Sequence, residues 1–600
     1  GTVDLSTGTL ESGGGTFNLD DFTIGANSTF RLSGDTEISS ASDLTLGNLE
    51  LNGNTLSLEF ASVGDPAFIL PNTLTMDNVG SVIETRGSNL ELADALQLNS
   101  GSITSTGGTL RFTGGLTMGA SGVLDVTGST LSVSGALDLS VGTFSSSNSS
   151  VLKLEDAATL SSNSPVSFGS LNLNDKVLTL GSATTQLNIT DANTALALSG
   201  ITLETGDGSL TLSGALTMSS NAKLNSSGGT ITLNSGGSLA SGSTLSLPDS
   251  TLVLQNALAI SASTLKTKNT TLTTNGKALS LSAGILEVEG VQDLSGVSTD
   301  GTGTLRLIAN TSLNDNAALS VGTLDLADFA LTLDDAMAGL YVTQAVTLDA
   351  ATEQIISGDA DLSLNGGISV NAGTLSSTGG TLSLPGGATL VSGSTFTTSN
   401  TTLNLGGSLD VADTWTSTDT SIVLTDEASL SSTAQMSLAT LDTNGYDLML
   451  ESATSDLTIT EGVTINYDGE GGLNSGEADL TLDGSVSVLY GGILSSGGTV
   501  TFGAGSSGAS FSEDTGMLLE DTTLVLQTAL DLPYLQLSGT SLLQTNGNTL
   551  SLGDLEIGIE SELDLTDVAT NNQSTLELAG DSSITKTGDL IFKEVLTNGY

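Results

Sequence analysis

An acidic, glycine-rich stretch in the last quarter of the chain has the residue types that bind a hard divalent cation. The segment NYDGEGGLNSGEAD occupies residues 466–479. Carboxylate and amide oxygens in a flexible loop are the ligands that Ca²⁺ prefers, although turn chemistry alone also places Asp and Gly together. An EF-hand loop is ruled out, because its fifth-position Asx and twelfth-position Glu are missing. We therefore expect no cofactor from the rest of the chain and name calcium as the one candidate, with Asp468, Glu470, Asn474, Glu477 and Asp479 as its ligands and an ordinary acidic turn as the alternative.

The groups that usually perform catalysis are scarce in this chain. It contains no His and no Cys, so the usual nucleophile triads, thiolate metal ligands and disulfides are absent. Adjacent residues of a strand point to opposite faces, so adjacent carboxylates work as a pair only within a turn. We expect no enzyme activity and no catalytic residue. The acidic pairs are interpreted as solvated corner residues, and the arginines as too scattered for a sugar-acid site: Asp20-Asp21, Asp334-Asp335, Glu513-Asp514 and Glu520-Asp521, with Arg31, Arg86, Arg111 and Arg306.

The charge balance limits the partners of the chain. Twelve basic residues stand against 66 acidic ones, for a net charge of −54. Nucleic-acid binding requires Lys and Arg to displace counterions from phosphates, so no nucleic acid is expected. The sequence has no apolar run of about 18 residues, so no membrane insertion of this segment is expected. The simplest role of the acidic surface is to keep the protein soluble.

The local pattern indicates an all-β chain. Apolar and small polar residues alternate in runs such as GSLTLSGALTM at 208–218 and ADLTLDGSVSVL at 478–489. This period of two places successive side chains on opposite faces of a strand. Gly, Asn, Asp and Ser interrupt the runs, as turns require.

The chain also repeats itself over long distances. Residues 171–190 and 441–460 share ten of twenty letters at an offset of 270. Three families of turn markers keep nearly the same offset, which predicts a super-repeat of about 270 residues. They are the Asn turns at Asn174 and Asn444 and at Asn275 and Asn546 (Asn52 begins a further turn of this type), the GGT turns at Gly107 and Gly379 and at Gly228 and Gly497, and the DxTLVLQ pair at Asp249 and Asp521.

These features predict a right-handed parallel β-solenoid with roughly 20–30 residues per coil. Leu, Val, Ile and Ala would fill a narrow interior, and Gly and Asn would supply left-handed corners. The domain prediction is one continuous solenoid over 1–600, with super-repeats at 171–440 and, in part, 441–600. The alternative is a tandem β-sandwich array, because Asn-Gly is also a strong hairpin signal.

The repeated units GGTLxL, SGALTM and NGNTLSL resemble the β-helical stalks of bacterial surface proteins: filamentous-haemagglutinin-like adhesins, autotransporter passengers and giant repeat-rich exoproteins. The resemblance covers essentially all 600 residues. It implies a secreted protein, extracellular or at the cell surface, that acts as a stiff stalk, fibre subunit or adhesin shaft. The partners that we expect are other copies of the chain, in fibres or end to end, and a carbohydrate or another cell surface.

Two rival functions remain open. A carbohydrate- or surface-binding adhesin would show exposed aromatic residues clustered on one face. A polysaccharide-active β-helix enzyme would show three or more acidic and basic side chains in one groove. We expect the scattered aromatic residues to fill or cap the solenoid rather than stack on sugars: Trp415, Tyr446, Tyr467, Tyr490 and Tyr534.

Overall fold

The computed structural model is a parallel β-solenoid of about 25 turns of roughly 21 residues each. The fold class and the coil length are therefore confirmed. The sandwich alternative is wrong, because the ladders of the described strands run parallel, as between Ser209–Leu212 and Thr230–Leu233. The structure describes residues 3–20, 22–60, 66–294, 299–314, 318–334, 339–412, 415–467, 472–558, 562–564, 568–570, 575–578, 583–585 and 593–597.

The chain divides into two compact units, Gly1–Gly303 and Thr304–Tyr600. This boundary differs from the predicted super-repeat boundary at 440/441. The prediction of one continuous solenoid over 1–600 and that of a right-handed coil both stay predictions.

The first unit begins with strands that often run through a corner of the coil, so that several are ten or more residues long. From Val166 to the end of the first unit, most strands are instead short, and the coils form three separate ladders. The strands of the first part are Val3–Ser12, Gly15–Asn18, Phe22–Leu32, Thr36–Ser40, Leu44–Thr45, Asn48–Glu50, Thr55–Phe60, Ala67–Leu70, Leu74–Met76, Val82–Glu84, Asn89–Leu92, Leu96–Thr104, Thr109–Phe112, Leu116–Asp125, Thr130–Leu139, Thr143–Ser145 and Val151–Ser162.

The three ladders of this later part of the first unit meet at corners that are rich in Gly, Asn and Ser. One ladder contains Val166–Phe168, Gln186–Ile189, Ser209–Leu212, Thr230–Leu233, Thr251–Leu254 and Thr271–Thr273. The next contains Leu196–Ser199, Leu216–Ser219, Gly237–Leu239, Leu258–Ile260 and Leu279–Ser280. The remaining strands are Ser170–Asn172, Leu178–Leu180, Thr202–Gly206, Lys223–Ser226, Thr244–Pro248, Thr264–Lys268 and Ile285–Asp293.

The second unit has the same strand types, and one 3-10 turn at Ala504–Ser506 is the helical element of its described residues. Its strands are Thr304–Asn314, Leu319–Val321, Thr323–Asp325, Ala330–Leu333, Leu340–Val342, Val346–Leu348, Gln354–Ile356, Leu362–Leu364, Ile368–Val370, Thr374–Ser377, Thr381–Leu384, Ala388–Leu390, Thr395–Ser399, Thr402–Val411, Trp415–Thr418, Ser421–Ser432, Met436–Asp442, Leu448–Leu450, Leu457–Asn466, Gly472–Asn474, Leu480–Leu482, Ser485–Tyr490, Gly492–Ser495, Thr499–Phe502, Ser510–Phe511, Gly516–Glu520, Thr523–Leu526, Leu530–Ser538, Leu542–Gln544, Leu550–Ile557, Glu562–Asp564, Val568–Thr570, Thr575–Leu578, Ser583–Thr585 and Glu594–Leu596.

Columns of aliphatic side chains fill the interior of each unit. In the first unit, Leu187, Leu210, Ile231 and Leu252 pair in register on successive coils and are fully buried. In the second unit, Leu362, Leu382, Leu403, Ile422 and Leu441 do the same. The alternating residues of these strands face outward, as the period of two predicted. Apolar burial in these columns is the main favourable term in the stability of each unit.

The predicted Asn turns share one geometry in both units. Each Asn has a left-handed φ of 48–52°, a conformation that Asn tolerates because its side chain bonds locally. In each turn the amide Nδ2 donates to a Leu carbonyl of the preceding coil, so the turn residue also ties two coils together. The N···O distances are 3.1 Å for Asn52 to Leu32, 3.1 Å for Asn174 to Leu154, 3.0 Å for Asn275 to Leu254, 3.0 Å for Asn444 to Leu424 and 3.2 Å for Asn546 to Leu526.

The predicted GGT turns bury a pair of hydroxyls. The Ser two residues before the first Gly of each turn meets a Ser or Thr of the following coil inside the solenoid. A buried hydroxyl needs a partner, and these pairs satisfy each other. The O···O distances are 2.7 Å for Ser105 and Ser129, 3.0 Å for Ser226 and Ser250, 3.2 Å for Ser377 and Thr401, and 3.0 Å for Ser495 and Thr522.

Candidate functional site

The predicted calcium ligands are only partly within the described residues. Asp468 and Glu470 lie outside them. Asn474 ends the strand Gly472–Asn474, and its Oδ1 accepts the backbone N–H of Gly476 at 3.0 Å. Glu477 and Asp479 lie exposed in the following turn. In the part of the chain that the structure describes, no group of three or more acidic residues is arranged to hold a metal ion, so the calcium site stays a prediction.

The predicted acidic pairs have different surroundings. Asp21 and Asp335 lie outside the described residues. Asp521 is left-handed, with φ of 50°, and its Oδ1 accepts the backbone N–H of Thr540 at 2.7 Å. That backbone bond, followed by the Thr540 hydroxyl, lowers the pKa of Asp521 below its ordinary value. Glu513 and Asp514 instead lie in a turn, which is the one setting in which neighbouring carboxylates share a side of the coil.

Arg86 gathers acidic side chains on the surface of the first unit, which the scattered sequence positions did not reveal. Its Nη1 donates to Glu59 Oε1 at 2.8 Å and to Glu37 Oε2 at 3.1 Å. Its Nη2 lies 3.6 Å from Glu84 Oε2. These bonds raise the pKa of Arg86, the bond to Glu59 most of all. A surface cavity of about 510 Å³ lies beside the cluster and is lined by Asp20, Ser40, Glu59, Phe60 and Arg86, among others.

The aromatic residues separate into buried and exposed sets. Trp415 is a core residue: it is buried, it stacks on Phe396 with ring centroids 5.2 Å apart, and its Nε1 donates to Thr398 Oγ1 at 2.9 Å. The hydroxyl of Tyr534 donates to Glu556 Oε2 at 2.8 Å, and burial together with that carboxylate raises its pKa. A packing role is therefore confirmed for Trp415, whereas Tyr534 is half-buried on the outer face of its strand. Tyr490, by contrast, is 63% exposed.

Tyr490 belongs to a corner where consecutive coils present aromatic, apolar and acidic side chains. Strand pairing places Asn466 beside Tyr490, and the backbone N–H of Tyr467 donates to the Tyr490 carbonyl at 3.3 Å. On the next coil, Val488 pairs with Phe511, which precedes the turn of Glu513 and Asp514. We name this surface the tyrosine corner: Tyr467, Leu489, Tyr490, Gly491 and residues 512–515.

The tyrosine corner encloses a surface cavity of about 400 Å³. Leu489, at 44% exposed, adds an apolar wall next to Tyr490. The charge of Glu427, with desolvation and the charge of Asp447, raises the pKa of the Tyr467 hydroxyl above its ordinary value. The charges of Glu427 and Asp447, which act on this tyrosine, and the Glu513 and Asp514 carboxylates in the cavity lining make the site electronegative. It can offer flat apolar rings and hydrogen-bond acceptors at the same place.

The first unit contains the same corner with different side chains. Leu198 pairs with Met218 there, as Ile465 pairs with Val488 in the second unit, and Met218 and Val488 are 270 residues apart. The residues that follow Met218 are Ser219, Ser220, Asn221 and Ala222, where the second unit has Leu489, Tyr490 and Gly491. We name the corner of the first unit the serine corner: residues 199–201, 219–222 and 240–243.

Sequence reasoning named these tyrosines but did not group them. Tyr446, Tyr467 and Tyr490 are 21 and 23 residues apart, close to one coil. That spacing indicates that the three tyrosines can lie on neighbouring coils near one corner. Because corner lengths vary, the exact period of each coil is known only after the strands are paired.

The fold and the corners define the class of protein as a parallel β-solenoid repeat protein. No family model, no curated protein and no solved structure matches the chain. No helix among the described residues has the length and apolarity needed to cross a bilayer.

Proposed function

We propose that the chain is a non-enzymatic structural protein outside the cell, at the cell surface or in the surrounding matrix, and that it acts as a stiff stalk, fibre subunit or adhesin shaft. The observation that supports this most is the unbroken register of the inward columns, for example Leu362 through Leu441 on successive coils. Such columns make every coil depend on the coils before and after it.

The mechanical argument follows from that dependence. Bending a stack of coils lengthens backbone hydrogen bonds on one side and compresses packed side chains on the other. Each such bond contributes roughly 1 kcal/mol, and the packed interior has little free volume to absorb the strain. The net charge of −54 keeps the outer surface hydrated and opposes nonspecific association.

Force–extension measurement of the 600-residue chain, held by its two ends, tests the stalk function. We expect resolved unfolding events at forces well above those that extend the same chain in concentrated urea. Smooth extension that matches the urea-unfolded chain would contradict a mechanical role. Electron microscopy of the purified chain then separates a fibre subunit from a single stalk, because a fibre subunit forms filaments much longer than one molecule.

A second candidate function, polysaccharide cleavage, is favoured by the Arg86 cluster. Arg86, Glu37, Glu59 and Glu84 meet beside a surface cavity, which is the kind of convergence that this function requires. Carboxylates on two sides of a glycosidic bond are the groups that cleave it. Release of reducing ends from neutral polysaccharides, lost in Glu59→Gln and kept in the matched variant Glu520→Gln, would support this function. No release from any polysaccharide would remove it.

A further inference from the structure

The tyrosine corner holds side chains that the fold does not require. The serine corner makes the matching turn of the first unit with Ser219, Ser220 and Asn221, and its residues other than Ile201 are small or polar. The second unit nevertheless leaves Tyr490 63% exposed and Leu489 44% exposed at the matching place. Exposing two large apolar side chains side by side has no benefit for folding in water. A partner that covers them would remove this apolar area from water.

The chemistry of the corner selects one class of partner. We propose that the tyrosine corner binds a neutral oligosaccharide built of pyranose rings. The C–H face of a pyranose is flat and apolar, so it packs on an exposed tyrosine ring, while its hydroxyls donate to nearby acceptors. Glu513 and Asp514 are exposed acceptors that line the same cavity.

Charge excludes the other common ligands of such a cavity. The carboxylates of Glu427 and Asp447 act on Tyr467, and Glu513 and Asp514 line the cavity itself. No basic residue is among the described residues that line the cavity. Uronic acids, sulfated sugars, phosphates and nucleic acids would meet only negative charge there. A neutral sugar is not repelled by these carboxylates.

The size of the corner fits a short segment of a chain rather than a large surface. Its cavity of about 400 Å³ lies at the lower end of the range for small-molecule sites, roughly 300–1,000 Å³. One or two sugar rings fill such a volume, so we expect weak binding per site. The proposal does not depend on the mechanical role, because a corner that binds sugar and a shaft that resists force are measured separately.

Saturation-transfer difference NMR on the full 600-residue chain tests the proposal with defined probes. The probes are cellotetraose, mannotetraose and galactotetraose, with tetragalacturonate as the charged comparator. We expect transfer to at least one neutral probe and none to tetragalacturonate. Tyr490→Ser, which copies Ser220 of the serine corner, should weaken binding by at least about tenfold.

Two further variants keep the test decisive. Leu489→Ser copies Ser219 and should also weaken binding, and it serves in place of Tyr490→Ser if that variant does not fold. Tyr341→Ser removes a tyrosine that is 37% exposed on the strand Leu340–Val342, and it should leave binding unchanged. The proposal is overturned if no neutral probe binds, if tetragalacturonate binds equally, or if the corner variants and Tyr341→Ser behave alike.

Discussion

The tyrosine corner and the serine corner solve the same structural problem with different residues. Both follow a buried residue at the matching position of their unit, Met218 in the first and Val488 in the second. Both use left-handed backbone to turn, at Ser220 and Asn221 in the first unit and at Gly491 in the second. The comparison teaches that the turn itself needs only small or flexible residues. The large side chains of the tyrosine corner therefore have a role other than making the turn.

The same comparison separates the residues that stabilise the solenoid from the surface residues that the fold does not require. The positions that the two copies share include inward Leu, turn Asn and buried hydroxyls. Inward positions that differ exchange one apolar residue for another, as Met218 and Val488 do, whereas outward positions can change chemical type: Lys153 and Glu155 form an ion pair with an N···O distance of 2.9 Å, where the second copy has Val423 and Thr425. The expected effects of mutation fall in the same order, from the interior to the corner.

The largest effects are expected in the inward columns. Leu210 and Leu480 are 270 residues apart and fully buried. Leu210→Ala and Leu480→Ala should each lower the free energy of unfolding by about 2–5 kcal/mol, because the neighbouring coils cannot close around the cavity. Urea denaturation measures the effect. The outward neighbours give matched controls, Thr211→Ala and Thr481→Ala, with changes within about 0.5 kcal/mol. A large loss in one copy and none in the other would break the equivalence of the copies.

Intermediate effects are expected at the Asn turns. Asn174→Ala and Asn444→Ala each place Ala in left-handed backbone, at about 1–2 kcal/mol, and each removes a hydrogen bond that contributes about 0.5–1.5 kcal/mol. Thermal or urea unfolding should show a similar loss in both copies. Asn174→Gly and Asn444→Gly remove the same bond but accept the backbone conformation, so they should lose less. If the Gly variants are no better than the Ala variants, the left-handed turn is not the cause.

A smaller effect is expected at the ion pair that only the first copy has. Lys153, then Ser132, hold the pKa of Glu155 below its ordinary value. A lowered pKa in the folded state means that the contribution of Glu155 is present above the unfolded pKa of about 4.3 and is lost as the pH falls through the folded value. Glu155→Gln should therefore destabilise by less than about 1 kcal/mol at pH 7 and have no effect at pH 2.

The second copy provides the control for this pH dependence. Thr425→Gln alters the matching outward position, where no carboxylate is present, and its effect should be the same at pH 7 and pH 2. Urea unfolding at the two pH values measures both variants. A difference between wild type and Glu155→Gln that persists at pH 2 would show that packing, rather than charge, is what the variant removes.

The smallest effect on stability is expected at the tyrosine corner. Tyr490→Ser and Leu489→Ser should change the free energy of unfolding by no more than about 0.5 kcal/mol, because neither side chain is part of the buried interior: Tyr490 is 63% and Leu489 44% exposed. Urea denaturation of the two variants beside wild type measures this. A loss comparable to that of Leu480→Ala would mean that Tyr490 and Leu489 stabilise the packing of the coils. It would contradict the conclusion that the fold does not require them.

The sequence contained most of the fold because the fold is a repetition. The alternation of runs such as 478–489 determines the inward face, and turn markers such as Asn174 and Asn444 determine the corners. What it could not contain is the register between coils, since corner lengths vary by a few residues. Arg86 meets Glu37, Glu59 and Glu84 from three coils, and Tyr467 meets Tyr490 from two. Such groupings can be recognised only after the strands are paired. The sequence therefore identified individual candidate residues but not which of them lie together.

The stacking of successive coils in parallel register is tested most directly by spin labels on paired strands. The chain has no cysteine, so Thr481→Cys and Thr501→Cys are labelled without interference. These residues pair across adjacent coils, and both are partly exposed. With strands about 4.8 Å apart, the two nitroxides should lie on the order of 10 Å from each other and broaden the electron paramagnetic resonance spectrum strongly. A double-labelled spectrum equal to the sum of the two single-labelled spectra would contradict the stacked coils, and with them the proposed shaft.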